Sequence, residues 1–420
     1  MSDAQGGVRS PGAAAPRPFE GLKVLDCASF IAAPAAATIL GDFGADVIKI
    51  EPPEGDPYRQ LFVPFGFGPE GRNHGWELDS RNKRSLVLDL KQSDGIGILH
   101  RLAAGADVFI TNLPAPVRRR LRIDADTITA LNPRLVYASM TAYGESGPEA
   151  DKTGFDSTAY WARSGLMDLV KSDHEAPPAR SVAGMGDHPS AMTLFAAIST
   201  ALYQRERSGH GGVVSTSLLA NGLWANACFV QARLFEAPLA PRPPRERSTT
   251  PMTNLYRCRD GRWLNLVMLN EARQFVPLAQ VLGVPSLPED PRFASPDARR
   301  ANHAALIAIL DERFAQRDLA QWRDALDAAG ITFGVVGTLD DLVDDPQARA
   351  SGAIVPFEGA PGLTVSSPFA IAGSAKVSPR RAPAIGEHGE AILREAGLAD
   401  DEIASLRGLG VLGGRGESAA

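Results

Sequence analysis

Residues 21–59 constrain the fold of this chain more than any other stretch, and they read GLKVLDCASFIAAPAAATILGDFGADVIKIEPPEGDPYR. A mostly apolar strand at 22–25 is followed by a loop, by good helix formers at 35–43 and by a second apolar strand at 47–50. The loop lacks the glycine-rich fingerprint of a dinucleotide-binding unit. A parallel strand pair joined by a helix predicts an α/β domain with a ligand site near the strand C-termini, where residues 29–33 fall.

The next segment continues this alternation of strands and helices. The pattern predicts strands at 85–90, 107–111 and 135–140 and helices at 95–104 and 125–131. Strands and helices that alternate at short spacing predict a large, doubly wound, mostly parallel (Rossmann-like) sheet. Asn112 directly follows one of these strands, at the edge of the sheet where ligand-binding side chains project.

A Pro/Arg-rich stretch, APLAPRPPRER at 237–247, divides the chain into two parts. Before it we predict the large α/β domain at 19–236, which ends in helices at 189–207 and 218–235. After it we predict a smaller α+β domain at 248–338. Residues 1–18 are rich in Ala, Gly, Pro and Ser without an apolar core, so they predict a disordered leader, and we expect a disordered tail at 413–420.

The composition argues against several classes of protein. The chain has 420 residues, 44% of them hydrophobic, and no apolar run of about eighteen residues that could span a membrane. Cys27, Cys228 and Cys258 are far apart, so they predict neither a metal site nor a disulfide framework, and a reducing cytoplasm is the expected location. The net charge of −6 argues against nucleic-acid binding.

Positive charge is nevertheless dense in two short stretches. The first contains Arg81, Lys83 and Arg84, and the second contains Arg118, Arg119, Arg120 and Arg122. A solvated surface is one interpretation of these clusters. The alternative is a site for a ligand that carries several phosphates, because Lys and Arg pair with phosphate groups.

The motif VLDCASFIAAPAAATILGDFGADVIKIE resembles the opening block of the class III coenzyme A transferases, which include the formyl-CoA:oxalate and carnitine-type enzymes. The resemblance extends from about Phe19 to Leu412. It implies an acyl-CoA:carboxylate CoA-transferase whose substrates are an acyl-CoA and a carboxylic acid, with no metal. It also implies that residues 339–412 rejoin the large domain and that two identical subunits interlock as a homodimer.

The motif GMGDHPSAM places Asp187 after two glycines and immediately before a helix. One interpretation is a helix N-cap, since Asp before a helix is a common cap. The other is a nucleophile, because a helix N-terminus favours the carboxylate anion and Gly184 and Gly186 leave room for a substrate. Asp187 aligns with the aspartate that class III CoA-transferases use as covalent nucleophile, so the resemblance favours the second interpretation.

The resemblance also implies a set of residues that bind the cofactor. Phe30, Ile31 and Ala32 would line the CoA channel, and Lys83, Asn112, Arg120 and Leu121 would contact its nucleotide end. Asp156, in GFDSTAYWARSGL, matches an acid near the active centre of the family, although it could equally cap the helix that follows.

Two other functions remain open at this stage. Related racemases of the same fold carry a histidine where this chain has Phe155, and inversion needs two groups that exchange protons on opposite faces of the substrate. Phe155 therefore argues against an α-methylacyl-CoA racemase. A non-catalytic CoA-binding protein is the third possibility, against which the intact glycine-aspartate block speaks. Apolar Ile31, Phe155 and Trp161 near the expected site suggest an acid larger than oxalate.

Overall fold

The computed structural model describes residues 17–61 and 73–413. The predicted disordered leader, apart from Arg17 and Pro18, and the predicted tail, apart from Gly413, lie outside the described residues.

Strands and helices alternate from Lys23 to Leu234, as the pattern predicts. The strands are β1 (Lys23–Asp26), β2 (Asp46–Glu51), β3 (Arg84–Val87), β4 (Val108–Thr111), β5 (Val136–Thr141) and β6 (Gly212–Ser217). The helices are α1 (Ala32–Asp42), α2 (His74–Asp79), α3 (Ser93–Ala104), α4 (Ala115–Arg120), α5 (Ala125–Leu131), α6 (Leu166–Leu169), α7 (Asp187–Ser208), α8 (Leu218–Ala225) and α9 (Ala227–Leu234), with a π-helix at Asp156–Ala162 and a 3₁₀ turn at Pro57–Gln60.

The six strands form one sheet in the order β3-β2-β1-β4-β5-β6, and every neighbouring pair is parallel. This is the doubly wound order in which the chain proceeds outwards from β1 on one side and from β4 on the other. The predicted Rossmann-like fold class is confirmed. The switch point lies between the C-terminal ends of β1 and β4, next to Ser29 and Asn112, which is where such sheets bind ligands.

Apolar side chains cover both faces of this sheet, which explains why its strands read as continuous apolar runs. Val24 packs on one face with Leu40 of α1 and Leu194 of α7. The next residue, Leu25, points to the other face and packs with Leu99 of α3. The sheet and the helices on either side of it form a rigid frame from which the loops at the switch point project.

The chain divides into two compact units, and their borders differ from the predicted ones. The smaller unit contains Met167–Ala179 and Gln231–Pro346, so it starts earlier than predicted and takes in residues 167–179 as well. The Pro/Arg-rich stretch 237–247 lies inside this unit. The predicted helix 218–235 is two helices, because the chain breaks at Asn226, whose side-chain amide donates to the Ser164 carbonyl (3.0 Å).

The smaller unit combines an antiparallel sheet with helices. The sheet has the order β7-β8-β9, from β7 (Thr253–Arg257), β8 (Trp263–Val267) and β9 (Phe333–Val335). Its helices are α10 (Glu271–Val281), α11 (Pro296–Ala301), α12 (His303–Phe314), α13 (Leu319–Ala328) and α14 (Leu339–Val343), with 3₁₀ turns at Arg245–Arg247 and Leu287–Glu289. Trp322 is fully buried at its centre.

The chain returns to the larger unit at Gln347, after the predicted residue 339. The last elements are α15 (Pro346–Ala350), β10 (Ile354–Pro356), β11 (Leu363–Val365), α16 (Gly389–Glu395) and α17 (Asp400–Gly408). Leu393 of α16 packs in the same apolar layer as Leu25 of the central sheet.

Candidate active site

The loop after β1 is held in one conformation at the switch point of the sheet. Asn112 locks it from β4, since its carbonyl oxygen accepts from the Ser29 amide (2.9 Å) and its own amide donates to the Ser29 carbonyl (2.7 Å). The next residue, Phe30, has a φ of 64°, which is unfavourable for a residue with a side chain. Asp56 stabilises this conformation by accepting from the Phe30 amide (3.2 Å).

Buried ion pairs stabilise this loop. Lys49 pairs with Asp56 (2.8 Å) and also donates to the Ala28 carbonyl, while Lys83 pairs with Asp26 (2.8 Å). The side chains of both lysines are fully buried. The amine of Lys83 therefore has no exposed surface with which to meet a phosphate, which contradicts its expected contact with the nucleotide.

Asp187 is the first residue of α7, and Gly186 is the residue that precedes the helix. Among the described residues, none donates a hydrogen bond to the Asp187 carboxylate, so the capping interpretation is wrong. The side chain is partly buried and lines a cavity together with the Phe30 loop. A carboxylate that is accessible but has no structural partner is free to react.

The other predicted acid, Asp156, holds the turn that carries Asp187. One of its oxygens accepts from the backbone amides of Gly184 (3.0 Å) and Gly186 (3.3 Å), and the other accepts from the Ser157 amide (2.6 Å). Phe155, not Asp156, is the N-cap of the π-helix. Asp156 is buried and is not among the residues that line the cavity, so it supports Asp187 and does not reach a ligand there.

The two glycines of this turn are required by its geometry. Gly184 has a φ of +88°, in the left-handed region that favours glycine. A Cβ at Gly186 would lie 2.6 Å from Cγ of Tyr160. The Tyr160 ring therefore packs directly on the backbone that precedes Asp187, and only glycine allows it to do so.

The surroundings of Asp187 oppose its ionisation. Burial, together with the negative charges of Asp156 and Asp79, raises the pKa of Asp187 from 3.8 to about 7, although His188 acts in the opposite direction. The helix N-terminus favours the carboxylate anion, as expected from the sequence, but burial is the largest influence on this pKa and acts against the anion. Strongly shifted carboxylates in a cavity are typical of functional sites.

His188, at the start of the same helix, is 45% exposed, but both of its ring nitrogens face acceptors. Its Nε2 lies 3.0 Å from Oδ1 of Asp79, and its Nδ1 lies 3.1 Å from the Gly184 carbonyl oxygen. The second oxygen of Asp79 accepts from the Tyr58 hydroxyl (2.8 Å). Burial lowers the pKa of His188, but the hydrogen bond and the charge of Asp79 more than offset this, so the pKa is raised overall.

The cavity at Asp187 has a volume of about 390 Å³, within the range of small-molecule sites. It brings together the three residues predicted to line the cofactor channel, Phe30, Ile31 and Ala32, and it also contains Asn112, which was predicted to contact the nucleotide end. Phe155 lies at its edge, 58% exposed, with its ring 5.7 Å from that of Phe30 in an edge-to-face arrangement.

A neighbouring cavity of about 210 Å³ contains the two other predicted nucleotide contacts, Arg120 and Leu121. Ser29 and Leu113 line both cavities, so the two adjoin at the switch point. The cavity that contains Arg120 is therefore next to the one that contains the carboxylate of Asp187.

Most of the remaining positive charge in the two basic clusters is used inside the fold. Arg81 is buried against Asp42 (2.6 Å), and Arg118 is buried against Glu145 (2.6 Å). Arg84 bridges Asp46 and Glu395. The sequence could not separate these structural pairs from ligand contacts, because their partners are distant along the chain.

Several residues of the site escaped the sequence analysis. Lys152 lines the Asp187 cavity and places a cation at it, but lysines on a polar loop give no sequence signal. Asp79 and Tyr58 form the anchor of His188. Only the position of His188 next to Asp187 pointed towards such an anchor.

Residues 17–61 and 73–413 contain no group of three or more His, Cys, Asp or Glu side chains placed to hold a metal ion. Within the same ranges, no helix has both the length and the apolar character needed to cross a membrane.

Comparison with known proteins gives a consistent family. The sequence model of CoA-transferase family III matches residues 19–389. The (R)-2-hydroxy-4-methylpentanoate CoA-transferase of Clostridioides difficile is 32% identical over 93% of this chain and 98% of its own. The cinnamoyl-CoA:phenyllactate CoA-transferase of Clostridium sporogenes is 31% identical over 92% of this chain and 95% of its own.

A solved structure agrees with these sequence matches. The crystal structure of a CaiB/BaiF family protein from Brucella suis superposes with a TM-score of 0.81 and 30% identity, and covers 91% of this chain and 100% of its own. The fold, the length of the match and the identity all lead to the same assignment. This chain belongs to CoA-transferase family III and is an enzyme of that class.

Proposed function

We propose that this enzyme transfers CoA from an acyl-CoA to a free carboxylic acid through covalent intermediates on Asp187. The observation that carries the proposal is the placement of this carboxylate. It has no hydrogen-bond donor among the described residues, it lines a cavity, and Asp156 and Tyr160 fix the turn on which it sits. A positioned nucleophile without a structural partner is what covalent catalysis needs.

The chemistry proceeds in four balanced steps. The Asp187 carboxylate attacks the thioester carbonyl of the donor, which forms a mixed anhydride and releases the CoA thiolate. The thiolate attacks the aspartyl carbonyl, which gives an aspartyl-CoA thioester and the free donor acid. An acceptor carboxylate attacks this thioester, which forms a second anhydride and releases the CoA thiolate again. The thiolate then attacks the substrate carbonyl of that anhydride. The products are a new acyl-CoA and the regenerated Asp187.

The two adjoining cavities account for how CoA would bind. We assign the nucleotide end to the cavity with Arg120 and Leu121, because a guanidinium pairs well with phosphate. The arm that ends in the thiol would follow Phe30, Ile31 and Ala32 to Asp187. The amide of Asn112 acts indirectly, because both of its polar atoms hold Ser29 in the loop between the two cavities.

The start of α7 would favour the reaction once an acyl group is attached. Attack on the aspartyl carbonyl places negative charge on its oxygen at the N-terminus of a 22-residue helix. Partial positive charge at a helix N-terminus stabilises such an oxyanion. The same partial charge acts on the ionised carboxylate before the reaction, where burial opposes it.

The apolar lining favours an acid with a hydrocarbon body as substrate. Ile31, Phe30 and Phe155 line the Asp187 cavity, whereas Trp161, the third apolar side chain that suggested a larger acid, is not among the lining residues. Two relatives are named for 2-hydroxy-4-methylpentanoate and phenyllactate, which both have apolar side chains. We infer an acid of this general class, larger than oxalate.

The racemase alternative lacks a second base at the cavity. Among the described residues that line it, only Asp187 and Lys152 are ionisable. Lys152 forms an ion pair with Glu149 (2.8 Å) and, as an ammonium ion, can donate a proton but cannot remove one, whereas a racemase that works in both directions needs a base on each face of the substrate. Phe155 occupies the position of the racemase histidine, and both nitrogens of His188 already have partners.

Mass spectrometry of the protein with acyl-CoA donors tests the proposal. Acetyl-, succinyl- and 3-phenylpropionyl-CoA would each be mixed with the enzyme, trapped with hydroxylamine and digested. A hydroxamate on Asp187 is expected, and Asp187→Asn should lose both this label and turnover. Asp126→Asn, another aspartate in the first turn of a helix but exposed, is the matched control and should keep both.

Two outcomes would replace the proposal. Turnover that survives in Asp187→Asn would remove its nucleophile. CoA binding without exchange into any acid would favour the non-catalytic alternative, and deuterium entering the α-carbon of 2-methylacyl-CoA in heavy water would favour the racemase.

We further propose a homodimer in the cytoplasm, as the family resemblance implies. Light scattering of the purified protein would give a mass twice that of the 44.5 kDa chain. A monomer with full activity would contradict the proposed dimer but would leave the role of Asp187 untouched.

A further inference from the structure

His188 connects the turn that carries Asp187 to a buried acid on another element. Its Nδ1 faces the Gly184 carbonyl (3.1 Å) and its Nε2 faces Asp79 at the end of α2 (3.0 Å). A carbonyl and a carboxylate are both acceptors, so the geometry favours a ring that carries a proton on both nitrogens, and the raised pKa of His188 favours the same imidazolium form. The ring has no nitrogen left for the substrate and must act through its neighbours.

The groups around His188 leave its charge matched to Asp79. The Tyr58 hydroxyl donates to the second oxygen of Asp79 and stays neutral, because burial raises its pKa far above the usual range. Arg81 lines a cavity with His188, but its guanidinium is paired with Asp42 (2.6 Å). The Asp79 carboxylate is 3% exposed. Lys83 also interacts with its charge but is paired with Asp26 (2.8 Å), so His188 is the cation that forms an ion pair with Asp79 (3.0 Å), and its loss would leave a poorly compensated buried charge.

Asp187 lies between two such acids. Asp156 and Asp79 both act against its ionisation, while His188 acts in favour of it and more strongly than Asp79 opposes it. Asp156 receives three backbone amides, so its charge is compensated locally. Asp79 depends on His188 for the same purpose.

We propose that His188 is a positioning residue for the transfer reaction. It holds the Gly184 turn next to Asp79 and cancels the charge of that buried acid beside the nucleophile. This inference rests on the proposed role of Asp187 and goes beyond it, because it assigns a function to the ion pair behind the nucleophile. The pair is neutral as a unit, so removing one member differs from removing both.

Three variants alter the charges of the His188–Asp79 pair in different ways. His188→Gln can still donate a hydrogen bond but leaves Asp79 as a net negative charge near Asp187. Asp79→Asn removes the acid and, with it, the reason for His188 to be charged, so the pair remains neutral. The double variant is neutral as well. We therefore expect His188→Gln to be the most impaired of the three, and the added Asp79→Asn to restore part of its loss.

The decisive measurement is the pH dependence of the rate at which acyl-CoA labels Asp187. In His188→Gln the midpoint of this profile should rise by about one pH unit, which slows labelling roughly tenfold below the midpoint and leaves the alkaline plateau in place. The Asp79→Asn and double-variant midpoints should stay within about half a unit of the wild type. His210→Gln, an exposed histidine after α7, is the control and should not move the profile.

A second measurement does not depend on catalysis. Titration of His188 by NMR, with carbon-13 labelled histidine and His188→Gln for assignment, should give a midpoint above 6.5 in the wild type, and Asp79→Asn should lower it. A wild-type midpoint at or below 6.5 overturns the proposed ion pair between His188 and Asp79, whatever the activity of the enzyme.

The outcomes separate this inference from the proposed function. No labelling of Asp187 in the wild type overturns the proposed function, and the NMR titration still decides whether the ion pair exists. Normal labelling with an unmoved profile in His188→Gln overturns the role of His188 alone. A fall in the plateau without any shift of the midpoint, or a double variant worse than His188→Gln, also overturns it, because those are the results of a purely structural contact.

Discussion

Replacing Asp187 by asparagine should make the protein inactive and, above neutral pH, more stable. The pKa of this carboxyl is raised from 3.8 to about 7, mainly by burial and then by the charge of Asp156. A carboxyl with a raised pKa favours the folded state least when it is ionised, because the unfolded chain accommodates the charge in water. The isosteric asparagine removes the ionisation and with it the penalty.

The size and pH window of the effect follow from these two values. A difference of about 3 pH units corresponds to about 4 kcal/mol of folding free energy at most, at about 1.4 kcal/mol per unit. Because Asp187 keeps some contact with water, about 2 kcal/mol is the more realistic figure. The penalty is absent below pH 3.8, grows as the pH rises towards 7 and is complete above it, so at pH 5 only about a third is present.

Thermal unfolding of wild type and Asp187→Asn at pH 5, 6, 7 and 8 measures this difference. We expect the variant to melt about 2–4 °C higher at pH 8 and to lose most of that advantage at pH 5. Asp126→Asn, an exposed aspartate in the first turn of α5, controls for general effects of lost charge. A gain in melting temperature that is the same at every pH, or no gain at pH 8, would refute the inference that burial disfavours the ionised carboxylate of Asp187.

Three further substitutions test how the site is held. Gly186→Ala places a Cβ against the Tyr160 ring and should lower kcat roughly a hundredfold by displacing the nucleophile, measured by steady-state kinetics. Asp156→Asn loses charged acceptance from the turn amides and should destabilise the fold by about 1–3 kcal/mol in urea unfolding. Asn112→Ala frees Ser29 and should raise KM for acyl-CoA about tenfold, with a smaller effect on kcat.

The sequence predicts the central sheet well because its information is local. The apolar runs around Val24 and Val47, and the helix between them, lie within thirty residues of one another and need no distant partner. The position of Asp187 is likewise marked by adjacent residues, since the glycines before it and Pro189 after it indicate a turn into a helix. The fold class and the place of Asp187 at the start of a helix are both predictable for this reason.

What the sequence does not predict depends on partners far along the chain. The resemblance assigns Lys83 to the nucleotide end, yet Asp26, 57 residues away, holds it inside the fold. The contact between His188 and Asp79 likewise joins residues that are 109 positions apart. Burial of a charged side chain is decided by such pairs, and no local pattern records them.

The predicted borders of the smaller unit differ from the observed ones for a related reason. Proline and arginine at 237–247 indicate an irregular, polar segment, and such segments are common between domains. They also occur inside a domain when the chain has a partner to bind, and here Arg245 pairs with Asp311 (2.9 Å) and donates to the Leu255 carbonyl (2.9 Å). Composition reports that a segment lacks regular structure but not where it packs.

Three carboxylates lie close together at this site, and the fold treats them differently. Asp156 receives backbone amides, and Asp79 receives a tyrosine hydroxyl and an imidazolium. Asp187 alone receives no donor, so it alone bears the cost of a charge in a poorly hydrated place. In the proposed mechanism, acylation or thioester formation removes that charge, so the same surroundings would favour the covalent intermediates over the free carboxylate. The free energy that ionised Asp187 costs the fold would then lower the free energy of the intermediates relative to the resting enzyme.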